Sequence, residues 1–384
     1  MKAIIAIDSF KGSLSTYEAG AAVAEGIKRA FPDAVCTVSP LADGGEGTMA
    51  AIVSATGGKT VSVKVTGPLG EELTAEYGVT PDGCAVIEMA SAAGLPLIPP
   101  EKRNPLYTTT FGVGELIRHA ICESGCRKFI VGIGGSATND GGIGMLSALG
   151  FEFLDSEERA VEPCASGLSK IAKIEIKNAL PLLAECEFSV ACDVKNPLCG
   201  ELGCSAVYGP QKGATPESVR DMDKWLSGYA RLTAALLGHS DENSPGAGAA
   251  GGLGFAFLSY LGARLVLGID LVIERTSLEE KIKDADVVIT GEGRLDGQSC
   301  MGKAPIGVAK AAKKYGKPVI AFSGCVTEDA RLTNSHGIDA FFPILKAPCS
   351  LEAAMDTENA KKNLADTAEQ AFRIVKIFKA EHKK

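Results

Sequence analysis

The 384 residues carry 39 Lys and Arg against 47 Asp and Glu, a formal net charge of −8. A chain of this length exceeds what one core usually organises, so two domains are expected, each with ample apolar surface to bury. The acidic balance argues against nucleic acid and anionic membranes as partners, since both select basic faces, and a small anionic ligand must then be met by local Lys or Arg, or by a metal.

Ala3 to Ile7 predicts a short strand whose apolar run ends at Asp8, too early for the core of a signal peptide. The exit reads Asp8-Ser-Phe-Lys-Gly-Ser-Leu-Ser, with Ser15 or Thr16 capping a helix from Tyr17 to Phe31 and Glu18 in its first turn. Ligands of parallel α/β sheets bind at such carboxyl ends, which makes Lys11 a candidate anion contact. Val35 to Pro40 is the next strand. Its exit, Leu-Ala-Asp-Gly-Gly-Glu-Gly-Thr, sets Asp43 and Glu46 among glycines before a helix from Met49 to Ala55, a loop suited to Mg²⁺.

From Lys59 the period changes to two. Lys59–Thr66, Glu72–Val79 and Cys84–Glu88 alternate between turn sequences, an antiparallel meander that marks a domain boundary near residue 65. A helix from Gly112 to Glu123 then leads to Lys128–Gly144, KFIVGIGGSATNDGGIG, where an apolar strand, Phe129 to Ile133, stops in a glycine-rich loop. The loop offers Gly134, Gly135, Ser136, Thr138 and Asn139 as phosphate or nucleotide contacts, ahead of a helix from Ile143 to Leu149 whose free N–H groups favour an anion. Gly132-x-Gly134-x-x-Ala137 also matches a dinucleotide fingerprint, which keeps a nicotinamide oxidoreductase open as the alternative, although Thr138 to Gly142 intervene before the helix.

Phe188 to Cys192 predicts a strand that ends at Asp193, the position of many catalytic carboxylates, and Lys212 stands beside Gly213 in Tyr-Gly-Pro-Gln-Lys-Gly. Gly246-x-Gly248-x-x-Gly251 follows no strand, so close packing explains it better than a nucleotide, and Gly246 to Ala263 is too glycine-rich to span a bilayer. The twelve cysteines form no C-x-x-C pair and no zinc spacing, which points to reduced thiols and a cytoplasmic setting. From about residue 270 a βα rhythm returns: a helix from Ser277 to Ala285, strands at Asp286–Thr290, Pro318–Phe322 and Ala340–Leu345, and one long charged helix from Leu351 to about Lys379. The loop after Thr290 holds Arg294, Asp296 and Lys303. Its G-x-x-x-x-G-K lacks the Ser or Thr of a P-loop, yet it remains a phosphate-handling sequence. Right-handed crossovers let these strands join the N-terminal ones in a parallel sheet, giving residues 1–64 and 270–384 as one α/β domain and 65–269 as a central mixed one.

DSFKGSLS, PLADGGEGT, GIGGSATNDGG, ACDVKNPL, YGPQKGA, PGAGAAGGLG and GEGRLDGQSCMGKAP together resemble the bacterial glycerate kinase family of type 1, in the same order over nearly the whole chain. Ser299 stands where that pattern has Thr, and Cys204 where it has Ala. The resemblance implies an α/β fold that pairs a flavodoxin-like domain with a second one. It also implies ATP-dependent phosphorylation of D-glycerate with Mg²⁺, in a cleft between the domains, 2-phosphoglycerate being the favoured product. On this reading Asp193 is the base, Lys11 and Arg294 hold the glycerate carboxylate or the moving phosphate, and Gly134, Gly135, Ser136, Thr138, Asn139, Lys212 and Lys303 contact the nucleotide. Asp43, Glu46 and Asp296 are the expected metal carboxylates. A binding protein without turnover is the third reading, and a homodimer stays open.

Overall fold

The computed structural model describes residues 1–381, which divide into two compact units, Met1–Asp43 with Ile269 onward, and Gly44–Gly268. In chain order the strands are β1 (Lys2–Ile5), β2 (Val35–Val38), β3 (Lys59–Thr66), β4 (Glu72–Val79), β5 (Cys84–Glu88), β6 (Lys128–Gly132), β7 (Glu152–Leu154), β8 (Lys173–Glu175), β9 (Glu187–Ala191), β10 (Arg264–Val266), β11 (Val287–Leu295), β12 (Val319–Val326) and β13 (Ala340–Pro343).

The unit built from both chain ends contains a parallel sheet in the order β2-β1-β11-β12-β13. Renumbered within the unit this is 2-1-3-4-5, the doubly wound flavodoxin-like order, whose switch point lies between β1 and β11. Ala3, Ile5, Ile7, Val287, Ile289 and Phe322 supply its buried core, and the helices Thr16–Ala30 and Thr357–Glu381 pack against each other on it. Gly26 permits that contact, since a Cβ there would lie 2.1 Å from the Ala365 carbonyl. The helix Thr16–Ala30 opens with a reciprocal cap in which Glu18 N–H donates to Ser15 Oγ (3.3 Å) and Ser15 N–H to Glu18 Oε2 (3.0 Å).

The other unit holds a mixed sheet, β10-β9-β6-β5-β4-β3, in which β5, β6, β9 and β10 run parallel and β3, β4 and β5 form the antiparallel meander. The three meander strands have the bounds that alternation gives. A separate ribbon pairs β7 with β8.

Three expectations differ from the structure. The first division falls after Asp43 rather than after residue 64, because the helix Thr48–Thr56 packs on β4 and β5 and β3 pairs with β4. The loop expected after Thr290 is strand as far as Leu295, since Glu292, Arg294 and Leu295 are all in register with β12. The long C-terminal helix is two helices, Leu351–Met355 and Thr357–Glu381, parted by the extended backbone of Asp356.

Candidate active site

The first unit carries a cavity of about 620 Å³ at the carboxyl ends of its sheet, where ligands of open α/β folds bind. Three strand exits feed charge into it. After β1, Phe10 and Leu14 are buried and bond to each other's backbone (Phe10 N–H to Leu14 O, 2.8 Å), which pins a tight loop with Lys11 exposed near its tip. The Thr16 hydroxyl ties this exit to that of β2, donating to Ile7 O (2.5 Å) and accepting from Leu41 N–H (3.2 Å). β2 leads to Asp43, and β11 places Glu292, Gly293, Arg294 and Asp296 on the wall, with Lys303 shortly beyond. Gly324 and Cys325 of β12 complete this side.

The carboxylates here are not ordinary surface acids. Asp8 is 6% exposed, and burial, reinforced by the neighbouring charge of Asp43, pushes its carboxyl up to about 7 despite Ser9 N–H and Lys11. Glu292 is raised as well, chiefly by burial. It accepts a 2.5 Å hydrogen bond from Ser299 Oγ and lies 4.0 Å from Lys303 Nζ. Asp296 is engaged otherwise: it accepts from Gln298 N–H (3.0 Å) and Ser299 N–H (3.3 Å) to cap the turn Gly297–Met301, and pairs with Arg294 Nε at 3.2 Å. Lys11, Arg294 and Lys303, three of the cations expected to act on anions, thus share one cavity.

In the second unit the glycine-rich loop after β6 is closed on itself. Asp140 is fully buried and accepts from Thr110 N–H (2.8 Å), Thr110 Oγ1 (2.7 Å), Gly142 N–H (3.1 Å) and Gly144 N–H (3.3 Å). Thr110 Oγ1 in turn receives Met145 N–H at 2.9 Å. The first-turn N–H groups of the helix expected to face a phosphate, Ile143–Ala148, are therefore already engaged, Gly144 by Asp140, Met145 by Thr110 and Ile143 by the Asp140 carbonyl. Burial nonetheless holds the Asp140 carboxyl above its ordinary range, since four hydrogen bonds only partly offset desolvation.

Lys212 is also inside, 1% exposed, and its ammonium donates to Ser136 Oγ (2.9 Å) and Thr138 O (2.6 Å). Burial lowers it to about 8. Asn139 donates to Ser205 Oγ at 2.8 Å. Of the five loop residues expected to touch a nucleotide, Gly134 and Gly135 are exposed, whereas Ser136, Thr138 and Asn139 are buried in this network with Lys212. Lys212 holds the loop from within and is not on its surface. The dinucleotide fingerprint fails locally too, because no helix starts at Ala137.

Asp193 follows β9 as expected. It is exposed, and its Oδ1 accepts Gly268 N–H at 3.1 Å. Glu46 is exposed in this second unit and adds to the field that, after burial, raises Glu88. Asp43 and Asp296 both line the cavity of the first unit, and among the described residues no group of three or more His, Cys, Asp or Glu is arranged to hold a metal ion. The twelve cysteines are free thiols. Asp8 in DSFKGSLS and Glu292 in GEGRLDGQSCMGKAP are functional candidates that only their burial reveals.

The Glycerate kinase family model matches residues 3–376. The chain belongs to the glycerate kinase family. As a member it is an enzyme, a phosphotransferase with an alcohol group as acceptor. It is 50% identical over 376 residues to the glycerate kinase of Haemophilus influenzae, a match covering 98% of this chain and 99% of the relative. It is 47% identical over 373 residues to the glycerate 2-kinase of Escherichia coli K12, covering 96% and 98%. A crystal structure of a glycerate kinase 2 candidate from Salmonella typhimurium LT2 superposes with a TM-score of 0.89 at 47% identity, over 99% of both chains. The mixed α/β architecture with parallel sheets is thus that of a solved relative.

Proposed function

We propose that this chain transfers the γ-phosphoryl group of ATP to a hydroxyl of D-glycerate, with Mg²⁺, and that 2-phosphoglycerate is the favoured product. The observation that carries the reading is the cavity at the switch point, where Lys11, Arg294 and Lys303 face the buried acids Asp8 and Glu292. Phosphoryl transfer asks a protein for positioning and charge neutralisation more than for covalent chemistry, and this set supplies both. The name of the Escherichia coli relative, glycerate 2-kinase, supports the 2-position.

The donor set also fits a hard divalent cation. Burial and neighbouring carboxylates raise the proton affinity of Asp8 and of Glu292, and carboxylates in that condition are relieved by a cation with oxygen preference. Asp43 and Asp8 are the residues that would hold Mg²⁺, which when bound would offset the negative charge of the phosphate oxygens. Asp193 remains the proposed base: it is exposed at a strand exit, with one oxygen held by Gly268 N–H. The reaction is proposed to draw on both units, in a cytoplasmic setting. Among the described residues no helix is long and apolar enough to cross a membrane.

The test is glycerate-dependent ADP release in a coupled assay with Mg²⁺, with the product identified by NMR. Lys11→Ala and Arg294→Ala should each lower kcat/KM, and Asp193→Asn should lower kcat by about 10²-fold with ATP binding intact. No glycerate-dependent signal from the wild type would overturn the reading. Normal kinetics in all three variants would overturn the assignments.

A further inference from the structure

The cavity is far larger than glycerate needs. Glycerate has only a handful of non-hydrogen atoms, whereas about 620 Å³ is a volume that suits a ligand of nucleotide size. Its lining is also of two kinds. Lys11, Arg294, Lys303 and the acids line it together with the apolar Phe10, Ile344, Leu345, Leu351, Ala354 and Met355. Apart from Phe10, this apolar lining is contributed by the exit of β13 and the short helix Leu351–Met355, both within the first unit. Leu351 is 78% exposed, and Leu345 and Met355 are exposed as well, although buried Phe10 and Ile344 line the same cavity. Exposed leucines and a methionine lining a charged recess are what an aromatic base requires and what a hydroxy acid cannot use.

In the second unit the features expected to cradle a nucleotide are engaged internally. The helix after the glycine loop is capped by Asp140, and the Lys212 ammonium binds Ser136 and Thr138. We infer that the nucleotide belongs to the first unit, with its purine base against the apolar lining of Leu345, Leu351 and Met355 and its phosphates toward Lys11, Arg294 and Lys303. The inference rests on the kinase reading and deepens it by assigning the donor, not the acceptor, to this cavity.

Photolabelling of the full-length protein with 8-azido-ATP and Mg²⁺, followed by peptide mapping, reads the location directly. Label in peptides spanning residues 344–355, suppressed by excess ATP, supports the inference. Label confined to peptides spanning 134–139 or 204–213 overturns it. Because Leu351 and Met355 are surface positions, Leu351→Glu and Met355→Glu should fold, as circular dichroism will show. Each should weaken binding of a fluorescent N-methylanthraniloyl ADP by about tenfold or more and raise KM for ATP, leaving KM for glycerate within about twofold. Unchanged nucleotide affinity in both variants overturns the inference. The two levels separate cleanly: label at 344–355 without glycerate-dependent turnover sinks the acceptor assignment and keeps the nucleotide site, while turnover with label elsewhere does the reverse.

Discussion

A buried lysine must leave a signature in the pH dependence of stability, and Lys212 is such a lysine. Its proton is held with a pKa of about 8 in the folded protein against 10.5 for an ordinary lysine, because burial disfavours the ammonium more than Cys204 and Asp140 favour it. Between those values the unfolded chain binds more protons than the folded one, so the stability attributable to this group rises with pH there and is lowest below pH 8. The interval, at about 1.4 kcal/mol for each pH unit, amounts to about 3 kcal/mol, of which about 2 kcal/mol is recovered between roughly pH 7.5 and 10. The comparison is with Lys212→Met, which removes the charge but deprives Ser136 Oγ and Thr138 O of their donor, so the sign of its effect at neutral pH is a contest between two terms of about 1–3 kcal/mol each. The pH slope escapes that contest, since groups common to both proteins cancel. Trp225, the one tryptophan, lies in the helix Pro216–Leu237 of the same unit as Lys212 and reports that unit alone in urea unfolding. Wild type should gain about 2 kcal/mol on the variant across this range. A difference that stays constant with pH would show that no buried ammonium titrates there.

Three further outcomes follow from the same physical terms. Asp140→Ala removes one acceptor from four donors inside the second unit and should lower its stability by about 3 kcal/mol or more, read as the Trp225 transition in urea. Gly251→Ala should abolish soluble expression or activity, because φ is +69° and a Cβ would stand 2.1 Å from Thr138 O; Gly238→Ala, also at positive φ (+77°) but with open space around it, should cost only about 1 kcal/mol by the same unfolding measurement. Mg²⁺ without nucleotide should raise the melting temperature more at pH 8 than at pH 6, since the Asp8 proton, held up to about 7, must leave before the carboxylate can bind metal. Asp8→Asn should remove that pH dependence, and a metal effect indifferent to both pH and variant would disprove Asp8 as a ligand.

What could be read in the sequence, and what could not, divides along local and non-local physics. Strand alternation gave β3, β4 and β5 to the residue, and Ser15 with Glu18 announced the helix start, because both signals are short-range. The parallel sheet of the first unit was also foreseeable, as apolar runs followed by polar exits recur at both chain ends. The division after Asp43 was not, since it depends on which sheet the helix Thr48–Thr56 covers and no local pattern states that. The same limit explains the acids. The rule that selected Asp193, an acid directly after an apolar strand, applies equally to Asp8, and only burial separates them: Asp193 is exposed, Asp8 is not. The glycine loop shows the converse error. Ser136, Thr138 and Asn139 read as ligand contacts because a sequence displays polar groups without their partners, and the partners Lys212 and Ser205 come from distant segments. A polar glycine loop therefore signals a dense hydrogen-bond demand. Whether a ligand or the protein meets that demand is decided by elements far along the chain.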